Sequence, residues 1–211
     1  MLIQILIDNY NSWIIPYAKK LIAKIERNHK FDVILVHRHK DVIKGEILIL
    51  LSCLRKFKNL DLNKSNIIVH ESDLPKGKGW SPVTWQIIEG KTKIPVTLFE
   101  AENEIDSGKI YLKEYFNLNG GELLNEIRDK QGRITIKLIL EYLNSYPKNK
   151  SYCQTGEESY YAKRTKESSR LDVDKNIKDQ FNILRVCDND NYPAFFIMNN
   201  KKYVLKIYEE N

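Results

Sequence analysis

His70 closes a short run of β-branched residues, Ile67-Ile68-Val69, and is followed by Glu-Ser-Asp-Leu-Pro-Lys-Gly-Lys-Gly-Trp-Ser-Pro. An imidazole takes up and returns a proton near neutral pH, so this is the position where the sequence offers acid–base chemistry. The apolar run predicts a strand covered on both faces. Pro75 lacks a donor and the glycines favour turns, so the strand cannot continue past the histidine. A titratable side chain is thereby delivered to the C-terminal end of a parallel strand, where open α/β sheets bind ligands. His37-Arg38-His39 raises a metal reading, since alternate residues of a strand face one side. No cysteine or carboxylate pair joins them, and they read as loop histidines, with no metal expected.

The elements that must hold His70 follow from the hydrophobic pattern. Leu2 to Ile7 reads as a buried first strand ending in Asp8-Asn9-Tyr10-Asn11-Ser12, where Asn11 or Ser12 would cap a helix. Trp13 to Glu26 has helical spacing, and Pro16 is tolerated because it falls in the first turn. Phe31 to Val36 and Glu46 to Leu51 are predicted strands, and the link from His37 to Gly45 is too short for a full crossover helix. A helix from Val83 to Glu89 is stopped by Gly90. Ile94 to Phe99 and Lys109 to Phe116 predict an antiparallel pair at the sheet edge around an acidic loop. Two helices follow, Glu122 to Asp129 and Arg133 to Tyr146. The polar stretch from Pro147 to Arg170 reads as a linker. Asp172 to Val186 then predicts a helix, and Ala194 to Met198 with Lys202 to Ile207 a hairpin turned by Asn199-Asn200-Lys201. An isolated hairpin is marginal in water, so this one must pack on the rest of the chain or on another subunit. The expected division is 1–146, a linker at 147–170, and 171–211.

With 211 residues, 42% hydrophobic and 29% charged, the composition is that of an ordinary globular protein. No apolar run reaches the length of a membrane span, and the expected location is cytoplasmic. Three cysteines, widely spaced, imply neither a disulfide framework nor a metal knuckle. A formal charge of +6 favours an anionic partner. The densest basic cluster, Arg55-Lys56-Phe57-Lys58, reads as a solvated face.

The His70 stretch resembles the signature of the formyltetrahydrofolate-dependent formyltransferases, through His70, Ser72, Leu74, Pro75 and Gly79, with Lys78 where the family usually has arginine. Downstream, Ile-Pro-Val-Thr-Leu-Phe at 94–99 is similar to the family's Gly-Val-Thr strand, and Asp106-Ser107-Gly108 to its Asp-x-Gly loop. The resemblance runs from about Met1 to Leu118 and weakly beyond. It implies a compact Rossmann-like α/β domain with a small C-terminal helix and hairpin, and 10-formyltetrahydrofolate as co-substrate. One position departs from the pattern: two residues before His70, the family's asparagine is replaced by Ile68.

The resemblance makes His70 and Asp106 the catalytic pair, the carboxylate orienting the imidazole, favouring its protonated form and relaying a proton. Formyl transfer to an amine needs a base for the amine proton and a donor for the oxyanion. Ile68 supplies no such donor. Asn66, four residues back along the strand, lies roughly 13 Å away; Asn9, Ser72 or a loop N–H remain open. The resemblance also makes Ser52, Cys53 and Leu54 the segment that meets the pterin, through backbone groups. The acceptor implied is the amine of a nucleotide-linked amino sugar, such as dTDP-4-amino-4,6-dideoxyglucose, used for surface polysaccharide (O-antigen, lipopolysaccharide). Its pyrophosphate would meet Lys76, Lys78 or the helix beginning near Ser12, with Trp80 a ligand-facing aromatic and Asn9 at the crevice. About forty residues after the linker offer too few strands for a tRNA-binding barrel, so nucleic acid is not the expected partner. Similarity to sugar N-formyltransferases suggests a homodimer through the C-terminal strands. The alternatives are a methionyl-tRNA formyltransferase-like enzyme, a folate-deformylating hydrolase, and a basic RNA-binding relative without catalysis.

Overall fold

The computed structural model describes residues 1–28 and 31–210. Strand β1 (Leu2–Leu6) feeds helix α1 (Ile15–Asn28), followed by β2 (Asp32–Val36), β3 (Gly45–Leu50) and β4 (Asn63–His70). These four strands are parallel, and the six-stranded sheet has the order β2-β1-β3-β4-β6-β7, completed by the antiparallel β6 (Lys93–Glu100) and β7 (Ile110–Asn117). A short strand β5 (Lys78–Gly79) and helix α2 (Pro82–Ile88) lie between β4 and β6. The strand order reverses at β1, which has β2 on one side and β3 on the other, so the loops after β1, β3 and β4 all open at the same sheet end.

Helix α3 (Leu124–Ser145) packs with α1 over one sheet face, where Ile3, Ile5, Ile47, Ile49 and Ile67 are buried. Loops cover the opposite face, over Leu6, Leu48 and Leu50. The short link after β2 crosses this face with no α-helix. It is held by the buried Gln4, whose Nε2 donates to Ile43 O at 2.7 Å while its Oε1 accepts from Ile43 N at 3.0 Å. One side-chain amide thus serves the link as a strand neighbour would.

The two helices expected over 122–146 are one. Gly132 does not break it, because a single glycine costs a helix only about 1 kcal/mol relative to alanine. Its missing side chain is filled by the ring of Tyr17 from α1, which would lie 2.3 Å from a Cβ placed there. The Tyr17 hydroxyl donates to Asp129 at 3.0 Å.

The polar stretch 147–170 is an extended belt laid across the loops of the sheet, carrying strand β8 (Tyr160–Tyr161), which pairs with β5. Beyond it, α4 (Ile177–Arg185) starts later than the sequence pattern predicts, because Asn176 caps it by accepting from Asp179 N at 2.9 Å. The hairpin of β9 (Ala194–Met198) and β10 (Lys201–Leu205) turns on Asn199 and Asn200, both at positive φ. Its inner face packs on α4 through Ala194, Phe196, Leu205 and Leu184. Towards the turn, Met198, Tyr203 and Val204 are exposed. No helix among the described residues is long and apolar enough to cross a membrane.

The buried Arg185 of α4 faces the buried Glu122, donating to its carbonyl at 3.3 Å and standing 3.7 Å from its carboxylate. Burial would raise the Glu122 carboxyl, but Lys130 at 2.6 Å and the N–H groups of Asn119 and Gly120 outweigh it and hold the group at about 2. A depressed folded-state pKa contributes stability above the unfolded value, near 4.5, and loses it as pH falls through about 2. We expect Glu122→Gln to be less stable than the parent by about 3 kcal/mol at neutral pH. The gap should close between those two values in urea melts; a gap of equal size at pH 2 and pH 7 would show that charge is not its cause.

Candidate active site

His70 stands at the last position of β4, 8% exposed, and its ring Nε2 lies 2.9 Å from Gly77 O. A carbonyl only accepts, so Nε2 carries the proton and donates, which leaves Nδ1 as the acceptor nitrogen. The Asp106 carboxylate is 3.7 Å from the same Nε2, an ion-pair separation and longer than a hydrogen bond. The ring is therefore oriented by the Gly77 carbonyl, and Asp106 bears on it by charge.

Asp106 is fixed from several directions. Its Oδ2 accepts from Gly79 N at 2.9 Å, and its carbonyl accepts from Gln154 at 2.9 Å. The same Gln154 amide also donates to Gly108 O at 2.8 Å. Ser159 Oγ accepts from Gly77 N at 2.9 Å, and Lys78 N donates to Ser159 O at 2.9 Å. Both elements that hold the pair, the 77–79 turn and the 101–109 loop, are thus clamped by the belt. Asp106 has φ 51, as a non-glycine residue in the left-handed region, and Ser52 and Ser81 are both at φ 50. Such backbone is held at a cost of order 1–3 kcal/mol per residue and clusters at functional sites; all three of these residues line one cavity.

That cavity, about 380 Å³, runs from Ser52-Cys53-Leu54 to His70 and Asp106, with Leu50, Phe57, Ile68 and Ala101 as apolar walls. Buried Asp8 shapes its rim, accepting from Leu54 N at 2.6 Å and Arg55 N at 3.0 Å. Cys53 donates to Leu6 O at 3.3 Å, and burial together with Asp8 pushes its thiol up to about 12, so it is no nucleophile. A second cavity of about 1080 Å³ opens beside the first, lined by Asn9, Ser12, Arg128, Lys163 and the 186–192 turn. Trp80 lines both cavities, with Lys163 Nζ 4.8 Å above its ring.

The residues named from the sequence therefore divide. His70, Asp106, Ser52, Cys53 and Leu54 meet in the first cavity, Asn9 and Ser12 reach the second, and Trp80 stands between. Lys76 and Lys78 line neither. The Lys78 side chain is buried and turned to Glu158 at 2.5 Å, which satisfies its charge within the belt. Ser72 is buried beneath the loop, away from both cavities, and Asn66 donates to Leu60 O at 2.8 Å. His37 and His39 are engaged by Ile7 O and Asp8. Sequence reasoning missed Asp8, Gln154, Ser159 and Lys163. Only Asp8, placed directly after the first strand, had a signal that pointed to the crevice.

No family model matches the chain. It is 32% identical over 151 residues to the methionyl-tRNA formyltransferase of Rickettsia bellii, covering 71% of this chain and 46% of that protein. The chain spans about half the length of the curated relatives it matches, from 38% to 57%. Among solved structures, a methionyl-tRNA formyltransferase from Clostridium thermocellum superposes with a TM-score of 0.79 at 21% identity, covering all of both chains. A sugar N-formyltransferase from a Shewanella species gives 0.74 at 17% identity, covering 100% of this chain and 98% of that one. HypX from Aquifex aeolicus, in complex with tetrahydrofolic acid, gives 0.75 at 20% identity over 95% of this chain and 36% of that one. The solved structures, at 17–21% identity, share the fold, and the curated sequence relatives are formyltransferases, the family to which the chain belongs.

Proposed function

We propose that the chain is an N-formyltransferase that moves the formyl group of 10-formyltetrahydrofolate to the amine of a nucleotide-linked amino sugar. The observation that carries this reading is that the cavity lined by His70 and Asp106 meets a second one at Glu71, Trp80 and Gln131, which offers room for two substrates. The first suits a pterin: apolar walls for a flat ring, and the backbone of residues 52–54 for its polar edge. HypX, bound to tetrahydrofolic acid, supports folate as the donor. The folate supplies an activated formyl carbon, and His70 takes a proton at Nδ1 and returns it, with the Asp106 carboxylate 3.7 Å from the other ring nitrogen.

A small acceptor is supported by the second cavity, whose size fits a ligand enclosed on several sides. Its lining mixes Arg128, Lys163 and Arg164 with Glu71, Glu126, Asp188, Asp190 and Glu209, unlike the one-signed basic surface that tracks a phosphate backbone. Arg128 is already paired with Asp188 at 3.0 Å. Lys163 shows no ion pair among the described residues and is our candidate for the pyrophosphate, the role the sequence pattern suggested for Lys76 and Lys78.

The test is incubation with 10-formyltetrahydrofolate and a panel of acceptors, dTDP- and UDP-linked amino sugars and methionyl-tRNA, read by mass spectrometry. A nucleotide sugar heavier by one formyl group supports the proposal and identifies the acceptor. Formylated methionyl-tRNA with no sugar product would replace it with the relatives' activity. Loss of formyl from folate with no amine product would make the protein a hydrolase.

A further inference from the structure

We propose that the Glu71 carboxylate, held by Gln131, receives the acceptor's ammonium group where the two cavities meet and takes a proton from it; this rests on the formyltransferase reading above. Glu71 follows His70 at the end of β4 and lines both cavities, as does Gln131 of α3. Gln131 Nε2 donates to Glu71 Oε1 at 2.7 Å, and Gln86 of α2 donates to the Glu71 carbonyl at 2.6 Å, so side chain and backbone are both fixed. Among the described residues common to the two cavities, Glu71 is the only one with a titratable side chain. An amine crossing from one cavity to the other meets this carboxylate on its way to His70.

The chemistry requires such a group. Near neutral pH an aliphatic amine is largely protonated and has no lone pair with which to attack. At the junction R–NH3⁺ passes one proton to the Glu71 carboxylate and becomes R–NH2. Its nitrogen forms a bond to the formyl carbon while the bond from that carbon to N10 of the folate breaks. The second amine proton travels through His70 to N10, giving R–NH–CHO and tetrahydrofolate. Glu71 then releases its proton to water. Burial pushes the Glu71 carboxyl above its usual range, making it the stronger base. The Asp106 charge acts in the same direction, while His70 and the Gln131 hydrogen bond oppose it. The groups of α3 and α2 that bond to it, Gln131 and Gln86, are neutral, and Arg128 of α3, in the second cavity, is paired with Asp188.

The experiment compares the parent with Glu71→Gln, which keeps the shape and a partner for Gln131. Calorimetry with dTDP-4-amino-4,6-dideoxyglucose and with dTDP-glucose, which has no amine, separates recognition of the ammonium from general damage. We expect Glu71→Gln to weaken the amino ligand about tenfold or more and leave dTDP-glucose unchanged. The value of kcat/KM should fall by about 10²–10⁴ at neutral pH. In the variant it should also climb tenfold per pH unit towards the amine's own pKa, a dependence the parent lacks. Equal loss of both ligands would reduce Glu71 to a structural residue, and an unchanged kcat/KM would overturn its role while leaving the formyltransferase intact. A parent that neither binds nor formylates the sugar would overturn both readings.

Discussion

His70→Ala should lower formyl transfer by about 10³-fold, which is roughly 4 kcal/mol of barrier, while folate binding changes little. The ring lines the first cavity and is the group there able to take and return a proton beside Asp106. Asp106→Asn provides the complementary measurement. An asparagine oxygen can still accept from Gly79 N, the 2.9 Å bond that seats the side chain, so the geometry survives and only the charge 3.7 Å from Nε2 is lost. We expect a loss of about 10²-fold in kcat, with thermal stability within about 1 kcal/mol of the parent. Single-turnover formyl transfer measured in both variants decides the matter. A fully active His70→Ala protein would remove the proton-transfer role altogether.

Gly79→Ala should be nearly as damaging for a different reason. Gly79 has φ +97, and a Cβ there would stand 2.6 Å from the carbonyl oxygen of Tyr161. That neighbour is backbone, so no rotamer change relieves the contact. Either the pairing of β5 with β8 opens or the turn moves, and in both cases the N–H that holds Asp106 moves with it. Expected are a 10²-fold or greater fall in transfer and a stability loss of about 1–3 kcal/mol. Adding Tyr161→Ala should restore nothing, because the clash is with main chain. If the double variant recovers activity, the obstruction lies in the Tyr161 ring and the account of the turn is wrong.

What the sequence made legible followed from short-range rules. β-Branched runs ended by turn residues located the strands, while the pair proposed as catalytic, His70 and Asp106, came from the family resemblance carried by Leu-Pro-Lys-Gly-Lys-Gly and Asp-Ser-Gly. The helix break expected near Gly132 failed because the packing of Tyr17 gave that glycine a use that no local pattern records. Lys78 looked free for a phosphate because its neighbour in space, Glu158, is 80 residues away. Gln154 and Ser159 escaped notice for a related reason. They sit in a polar stretch with few apolar residues, and their hydrogen bonds run to backbone atoms of distant loops. Contacts made to main chain leave little mark on which side chains a sequence must use.

The clamp that completes the site comes from late in the chain, and this matters while the protein is being made. The strands of the main sheet are all present once residue 117 has left the ribosome, and His70 and Asp106, the proposed catalytic pair, lie upstream of that point. The groups that fasten Asp106 and Gly77 are residues 154 and 159. At about 5–20 residues per second they follow roughly 2–8 s later. During that interval a nascent chain has its sheet and its histidine but lacks the belt's bonds to either loop. On the proposed reading, transfer has to wait until residues 154 and 159 have emerged, and chains stopped before residue 154 should not use up formyl donor.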